Sequence, residues 1–303
     1  MTDNSSATAI RDTALSSPRS GLAWGLLGVT AFSFTVPLTR VAVGGLSPLF
    51  IGAGRGAVAG LMAFAALLLT RQRLPNRGQW ARAAVVAAGV VVGFPFLTSY
   101  ALTSTPASHG AVVIGVLPAA TAVMAVVRGH ERPPRTFWIA AGLGALATVA
   151  FAALQGLGGL HLADLLLFGA VVAAAVGYAE GGLLARELGA WQTVSWALVL
   201  AAPVMVVLTA ISIAEQPPSA TPAQWAAFAY LALVSQYLGF LAWYRGLAIG
   251  PMTQVSQIQL VQPVMTIGWA VLILAEPLTL PTLLGGLAVI TFAALSVRSR
   301  RPG

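Results

Sequence analysis

The sequence predicts an all-α polytopic membrane protein with ten transmembrane helices, arranged as two inverted five-helix repeats. Three observations predict this class. Hydrophobic residues make up 58% of the 303 residues and charged residues only 8%, whereas soluble domains carry about 25% charged residues. Long apolar segments recur along the chain, and most arginines fall in alternate breaks between them. A shift of 145 residues relates several prolines and polar residues of the two halves.

The first repeat, residues 21–155, is predicted to contain five spans, because a helix needs about 20 mostly apolar residues to cross a membrane. A polar, Ser/Thr-rich segment at 1–20 precedes it, which we interpret as a disordered cytoplasmic tail. The first apolar segment is interpreted as a retained span and not as a signal peptide. The predicted spans are 21–42, 48–70, 81–103, 107–127 and 136–155.

The second repeat, residues 156–297, is predicted to contain five further spans, followed by a short cytoplasmic tail at 298–303. Turn-forming or charged residues separate the spans here as in the first repeat. Because each half holds an odd number of spans, the second half enters the membrane upside down relative to the first. The predicted spans are 162–184, 192–213, 224–245, 252–274 and 279–297.

The arginines test this span count, because cytoplasmic loops of membrane proteins carry an excess of basic residues. Arg40 falls near the outer face and Arg55 within a span. This distribution predicts that both termini are cytoplasmic, and it explains the net charge of +8 without a nucleic-acid partner. The absence of lysine, together with abundant alanine and glycine, indicates a GC-rich bacterial genome, so the predicted location is the inner membrane of a bacterium. The other 14 of the 16 basic residues fall on the cytoplasmic side: Arg11, Arg19, Arg71, Arg73, Arg77, Arg82, Arg128, Arg132, Arg135, Arg186, Arg245, Arg298, Arg300 and Arg301.

The internal repeat is visible at a constant offset of 145 residues without a gap. Inverted repeats are common in secondary transporters, which rock one half against the other around a midplane site. Pro118 and Pro263 lie inside equivalent spans, where proline kinks a helix, so we predict hinges there. The matched pairs are Pro106 and Pro251, Pro118 and Pro263, Thr121 and Thr266, Ala125 and Ala270, and Glu131 and Glu276.

Several short motifs resemble those of a known family. They are residues 100–108 (YALTSTPAS), 117–118 (LP), 243–248 (WYRGLA), 262–263 (QP) and 276–278 (EPL), together with Glu131 and Asp164. With these motifs the chain, over about residues 21–297, resembles the EamA family of the drug/metabolite transporter superfamily. The resemblance implies two five-helix bundles, a central cavity lined mainly by spans 1, 3, 4, 6, 8 and 9, and export or exchange of small metabolites. Glu180 departs from the family pattern, which has an aromatic or small residue there.

The segment 254–262 (QVSQIQLVQ) is unusually polar for a predicted span. Uncharged amides are costly in lipid unless they face other helices or a wet cavity. Gln254 and Gln257 share one helix face, whereas Gln259 and Gln262 share another. We predict that the first pair binds a polar solute and favour bonding between helices for the second pair.

Three ionisable residues are candidates for solute binding or ion coupling. His109, equivalent to Gln254 in the repeat, is predicted to bind solute and to couple transport to protons, with a capping role as the alternative. Arg55, roughly 10 Å deep in its span, either attracts a carboxylate or holds the fold, and the resemblance favours the structural role. Glu180 is a candidate proton or cation site, or pairs with Arg186 at the boundary.

Aromatic residues interleave with polar residues in spans one, three and eight. Their rings are candidates for stacking on an aromatic or amphipathic substrate. Core packing is the alternative, and for Trp243 it is an aromatic belt at the membrane interface. The candidate substrate-binding rings are Tyr100, Phe240, Trp243 and Trp24.

The functional hypothesis is a secondary transporter that exports or exchanges small polar or amphipathic metabolites, with amino acids and related compounds favoured. Multidrug efflux of cationic compounds, with Glu180 as the anion, and a membrane scaffold or sensor are the alternatives. The chain has no lysine for a phosphate-binding loop, no cysteine, and three dispersed histidines, so no enzyme, cofactor or metal is predicted. The expected partners are a small-molecule solute, the lipid bilayer and, as a candidate coupling ion, the proton; the oligomeric state stays open.

Overall fold

The computed structural model describes residues 18–129, 134–155, 160–249, 255 and 258–299. In these ranges all regular structure is helical, which confirms the all-α class. The helical segments are α1 (Ser20–Ala42), α2 (Pro48–Leu69), α3 (Arg77–Ala101), α4 (Ala107–Arg128), α5 (Arg135–Gln155), α6 (Leu162–Leu188), α7 (Ala190–Glu215), α8 (Pro222–Ile249), α9 (Gln259–Leu274) and α10 (Leu280–Ser299).

Seven of these helices, α1–α4 and α6–α8, are long and apolar enough to cross a membrane. The shorter apolar stretches Arg135–Phe151, Gln259–Leu274 and Leu280–Leu295 lie where the fifth, ninth and tenth spans are predicted. The protein is therefore an all-helical membrane protein with many spans. The count of ten spans remains a prediction.

Local capping explains where several helices begin. The Ser47 hydroxyl accepts a hydrogen bond from the Phe50 backbone N–H at 3.1 Å, and Pro48 occupies the first turn of α2. Asn76 and Gln79 accept reciprocally from each other's backbone N–H, at 2.9 and 3.0 Å. Because this capping box fixes its start, α3 begins at Arg77, before the predicted position 81.

The helices pair in a pattern that repeats after five helices. α2 packs along α7, α5 along α10, and α4 against α9. The α1–α8 contact has its counterpart in the α6–α3 contact, and α2–α3 has its counterpart in α7–α8. Close approach of α1 and α8 depends on small residues, because a Cβ on Gly246 would lie 2.7 Å from the Gly25 nitrogen.

Two helices contain π-helical turns at equivalent positions. Ala87–Gly93 in α3 and Leu231–Leu238 in α8 are π-helical, and their last residues are 145 positions apart. A π-turn widens the helix and shifts the hydrogen-bonding register, and such turns are frequent at functional sites. Gln236 in the second turn donates from Nε2 to the Val90 carbonyl in the first turn at 3.0 Å, so the two irregular segments are bonded to each other.

The bundle has two ends of different composition. At the arginine-rich end, defined by Arg71, Arg82, Arg128 and Arg245, Gln192 of α7 donates to Gln72 at 3.3 Å. At the opposite end, the Ser47 and Ser212 hydroxyls are bonded at 2.7 Å, which joins the start of α2 to the last part of α7. Arg40 lies at this end and donates to the Leu102 carbonyl at 2.7 Å.

Helix α1 is interrupted at Phe34, and side chains of α9 hydrogen-bond to the interrupted segment. Pro37 has no N–H, so the carbonyl of Ser33 lacks its normal partner in the helix. The Thr266 hydroxyl of α9 donates to that carbonyl at 3.0 Å, and the Trp269 indole N–H donates to the Ser33 hydroxyl at 3.0 Å. The proline break thus becomes a polar joint between α1 and α9.

Candidate functional site

A small enclosed cavity lies near the middle of the bundle, where α1, α2, α3, α6, α8 and α9 meet. Its free volume is about 10 Å³, room for roughly one water molecule. The resemblance implies a cavity lined by spans 1, 3, 4, 6, 8 and 9. Here span 2 contributes through Arg55, and none of the lining residues comes from span 4. The lining residues are Phe32, Thr35, Val36, Arg55, Val90, Phe94, Ala174, Tyr178, Ser235, Phe240 and Gln262.

Arg55 is the charged residue of this central cavity, and no described carboxylate compensates its charge. The side chain is only 1% exposed. Its Nη2 donates to the Ser235 hydroxyl at 3.1 Å, while Nε and Nη1 have no hydrogen-bond partner among the described residues. An uncompensated cation inside a membrane protein is costly, so Arg55 is a strong candidate for a functional role.

The π-turn of α8 positions the groups next to Arg55. Ser235 lies in this turn, and its hydroxyl is bonded both to Arg55 and to the Thr35 hydroxyl of α1, the latter at 2.8 Å. The neighbouring Gln236 holds α8 against α3 through the Val90 carbonyl. The irregular backbone of α3 and α8 therefore forms one polar wall of the cavity.

A cluster of aromatic rings forms the apolar wall of the cavity. The Phe32 ring lies 4.8 Å from that of Phe240 and 6.2 Å from that of Tyr178, measured between centroids. Tyr244 extends the cluster, with its hydroxyl donating to the Gly177 carbonyl at 3.1 Å. Such rings favour an apolar or aromatic body packed against them.

A second cavity of about 10 Å³ adjoins the first, since Val36 and Gln262 line both. It lies where α4 and α9 cross. The Gln262 Oε1 atom and both amide atoms of Gln259 are buried and lack a hydrogen-bond partner within the described chain. Gln259 and Gln262, for which the sequence favours hydrogen bonding between helices, therefore face the cavities. Gln254 and Gln257 lie outside the described residues.

Pro118 and Pro263 both line this second cavity, and both stand where a helix is interrupted. α4 is broken after Ile114 and resumes at Leu117, and α9 begins as a short 3₁₀ turn, Gln259–Val261. The helices approach closely, because a Cβ on Gly115 would lie 3.2 Å from Cγ of Pro263. Discontinuous helices at equivalent positions are typical of transporter binding sites, and the hinge role stays a prediction.

A polar vestibule of about 430 Å³ lies at the opposite end. His109 and Asp164, both buried, face each other there, with Nε2 of His109 2.7 Å from Oδ1 of Asp164. The Glu276 carboxylate accepts from the N–H groups of Ala107 and Ser108, each at 2.8 Å, and so caps the first turn of α4. His109 therefore lies in this vestibule and not in the central cavity.

Glu180 lies in a charged cluster toward the arginine-rich end, which we call the Glu180 cluster. The carboxylate is 3% exposed and is bonded by the guanidinium groups of Arg82 and Arg128, and Arg82 also pairs with Glu187. The expected partner, Arg186, is not the one found, because α3 and α4 bring Arg82 and Arg128 to this face of α6. The cluster borders a pocket of about 360 Å³.

The other candidate aromatic residues lie away from the central cavity. Tyr100 is 44% exposed, and Trp24 is partly buried with the Arg245 guanidinium 5.3 Å from its ring centroid. Trp243 is fully buried and packs near Tyr178, so the interpretation as an interfacial belt is wrong. Phe240 alone among the four candidate rings lines the cavity.

The sequence analysis did not identify three residues that line the central cavity together with Arg55: Ser235, Thr35 and Tyr178. Each is a neutral polar side chain in a largely apolar helix, and such residues mark interhelical contact as often as a site. Their proximity to Arg55 was the missing signal, and only the packing of α1, α6 and α8 supplies it.

The chain matches a transporter family and one relative over nearly its whole length. Residues 19–153 and 161–298 each match the model of the EamA-like transporter family. The uncharacterized transporter YdeK of Bacillus subtilis (strain 168) is 42% identical over 282 residues, covering 90% of this chain and 96% of that protein. A protein of known crystal structure aligns with a TM-score of 0.65 at 19% identity, covering 94% of this chain and 99% of that one; at this identity it speaks for the fold alone.

Proposed function

Because the chain belongs to the EamA-like transporter family, we propose that it is a secondary active transporter of small polar or amphipathic metabolites. Amino acids and related compounds are the favoured cargo, exported or exchanged by alternating access. The proposal places two inverted repeats, residues 21–155 and 156–297, in a bacterial inner membrane. The arginine-rich end and both termini face the cytoplasm, in keeping with the distribution of basic residues.

The observation that carries this proposal is the central cavity with the uncompensated Arg55. It lies near the middle of α1, α2, α3 and α8, as expected for a substrate site at the membrane midplane. Its small volume supports an occluded resting state. Substrate binding then requires side chains of the two repeats to part.

Two polar layers are proposed as the barriers on either side of this cavity. The Glu180 cluster ties α3, α4 and α6 together toward the arginine-rich end. At the opposite end, Glu276 ties the region after α9 to the start of α4. In alternating access the two layers open in turn, with α4 and α9 bending at Pro118 and Pro263.

The His109–Asp164 pair is proposed as the site of proton coupling. A histidine that faces a buried carboxylate changes the charge of the pair when it gains or loses a proton. The pair joins α4 to α6 and borders the vestibule, so protons from that side reach it directly. Because α4 also carries Pro118, protonation acts on a helix that the proposed motion bends.

The cationic-drug alternative receives less support. It requires a carboxylate available to a cation, and Glu180 is already engaged by two arginines. Among the described residues, the charged group that lines the central cavity is a cation. The cavity therefore favours solutes with a negative group over cationic drugs.

The test is exchange by the purified protein in proteoliposomes. Vesicles are loaded with unlabelled phenylalanine, leucine, glutamate or phenylacetate, and entry of the same labelled compound is followed over time. The proposal predicts exchange well above that of protein-free vesicles for at least one of these solutes. Exchange equal to that of protein-free vesicles for all four, with correctly inserted protein, would contradict it.

A further inference from the structure

We propose that Arg55 is a docking group for carboxylate, so that the substrate is a carboxylate with an apolar, ring-sized body. This inference rests on the proposed transport function and names the substrate class of the same cavity. It assigns to Arg55 a ligand-binding role, in place of the structural role that the resemblance favours.

Arg55 has more hydrogen-bond donors than the described residues use. A guanidinium group has five N–H donors in a planar fork and is always charged. The structure gives it one bond, from Nη2 to the Ser235 hydroxyl, and leaves Nε and Nη1 without partners among the described residues. Enough donors remain to hold both oxygens of a carboxylate, the ligand whose geometry this fork matches.

Among the described residues, no carboxylate balances the positive charge of Arg55. A buried arginine held for structure alone is normally paired with a carboxylate. No described carboxylate lines the central cavity, and Arg55 is in no ion pair with any of them. The described acidic residues lie elsewhere: Asp164 faces His109, Glu180 and Glu187 pair with Arg82, Glu276 caps α4, and Glu215 is exposed.

The remaining walls define the body of the ligand. The rings of Phe32, Phe94, Tyr178 and Phe240 line the cavity beside Arg55 and suit an apolar body, aromatic or branched. The unpartnered Oε1 atom of Gln262 is an acceptor for one donor on the ligand. An amine without a carboxylate fits poorly, because its charge would lie beside Arg55 without a counter-ion.

The present cavity is too small for such a body, so binding must be accompanied by an enlargement of the site. With about 10 Å³ free, the Phe32 and Phe240 rings must separate to admit a ligand. Ligand binding and movement of α1 relative to α8 are therefore coupled, which is what a transporter requires of its substrate.

The experiment compares three probes that share one ring and chain: phenylacetate, phenylacetamide and phenethylamine. Each is titrated into the purified protein while the melting temperature is followed, because a ligand that binds the folded state raises it by mass action. We expect phenylacetate to bind about 30-fold or more tightly than the amide or the amine, as for a desolvated charge pair. Hexanoate, benzoate and indole-3-acetate extend the carboxylate series.

Variants locate the effect. Arg55→Gln should abolish the preference for carboxylate, and Arg55→Lys should retain part of it because the charge remains without the fork. The control is Arg40→Gln, which removes an arginine that bonds the Leu102 and Thr103 carbonyls at the opposite end, away from the cavity. This control should bind phenylacetate like the unaltered protein.

Two results would overturn the inference. One is binding of phenethylamine or phenylacetamide as tight as that of phenylacetate, or no binding of any carboxylate in the series, by the unaltered protein. The other is an undiminished carboxylate preference in folded Arg55→Gln. If the proteoliposomes exchange phenylalanine, leucine, glutamate or phenylacetate while either result holds, transport stands and the assignment of Arg55 as the carboxylate site falls. If none of the four is exchanged, the proposed function falls too.

Discussion

Two buried charges, Arg55 in the central cavity and Glu180 toward the arginine-rich end, are treated in opposite ways by the same bundle. Glu180 is 3% exposed and pairs with two guanidinium groups, whereas Arg55 is 1% exposed and donates to one neutral hydroxyl. A buried ion that is paired ties helices together, and one that is unpaired stores unfavourable energy. The comparison teaches that the described part of the bundle compensates one buried charge and not the other, as the proposed carboxylate site at Arg55 requires.

The sharpest way to break this comparison is to remove the Arg55 charge. Arg55→Gln should lower substrate exchange about 30-fold or more, because the carboxylate loses its partner in a desolvated site. The free energy of unfolding should stay equal or rise, since an uncompensated charge has been removed. Exchange in proteoliposomes and thermal unfolding of the same preparation measure both. A large loss of stability would instead make Arg55 a structural residue.

Removing the paired charge should have the reverse effect on stability. Glu180→Gln leaves Arg82 and Arg128 without their shared buried carboxylate, and we expect a loss of about 1–3 kcal/mol. The expected loss is small for a buried ion pair because the side chains of Arg82 and Arg128 are 25% and 48% exposed, so solvent screens their charges. Thermal unfolding measures the loss of stability. Val85 lines the pocket beside the Glu180 cluster, so thiol labelling of Val85→Cys measures whether the proposed barrier at this end has opened.

Glu187→Gln is the matched control for that prediction. Glu187 also pairs with Arg82, but its side chain is 48% exposed, and exposed pairs contribute little. Its removal should change stability by less than about 0.5 kcal/mol. Equal effects of the two substitutions would show that the burial of Glu180 is without consequence.

A third prediction concerns the His109–Asp164 pair and its proposed role in proton coupling. A pH difference of one unit supplies about 1.4 kcal/mol per proton, or roughly a tenfold change in accumulation. His109→Gln should abolish accumulation driven by such a gradient while exchange at equal pH persists. The control is His161→Gln, whose Nδ1 lies 3.9 Å from Oδ2 of the same Asp164 but whose side chain is 65% exposed. Because solvent screens this contact, the control should leave both activities nearly unchanged. Persistent gradient-driven accumulation in His109→Gln would remove the pair from coupling.

The last prediction tests the hydrogen bonds at the proline break of α1. Thr266→Val removes the bond to the Ser33 carbonyl and should cost about 0.6 kcal/mol, typical of such bonds between helices in membranes. Thr121 is the equivalent residue of the first half, and its buried hydroxyl has no partner among the described residues. Thr121→Val should therefore be neutral or slightly stabilising. Thermal unfolding of the two valine variants decides whether they differ in this direction.

The sequence carried the helical class and the family because both rest on strong, local signals. Apolar segments of membrane-spanning length are read directly from composition, and motifs such as those at 117–118 and 262–263 recur in both halves. Arg55 stood out for a related reason, since a charge within an apolar span has few explanations. Its depth in the span was also predicted, because helical rise per residue is constant.

The partners of these residues could not be predicted, because they depend on packing between distant helices. Ser235 reaches Arg55 only because α8 contains a π-turn, and Glu180 meets Arg82 only where α3 crosses α6. The burial of Trp243 could not be predicted for a different reason. Lipid-facing and buried positions of a membrane helix are both apolar, so hydropathy does not distinguish the interface from the core. The cavity roles of Gln254 and Gln257 stay predictions.

The most direct test of the central claim is access to the central cavity from the two sides of the membrane. The chain contains no cysteine, so Ala174→Cys places a single thiol in the cavity wall. An impermeant thiol reagent is applied to either face of oriented vesicles, with Leu61→Cys, at a 63% exposed position on the outer surface of α2, as the lipid-facing control. The account predicts labelling of position 174 from both sides and none at position 61; labelling of position 174 from one side only, or from neither, would contradict alternating access.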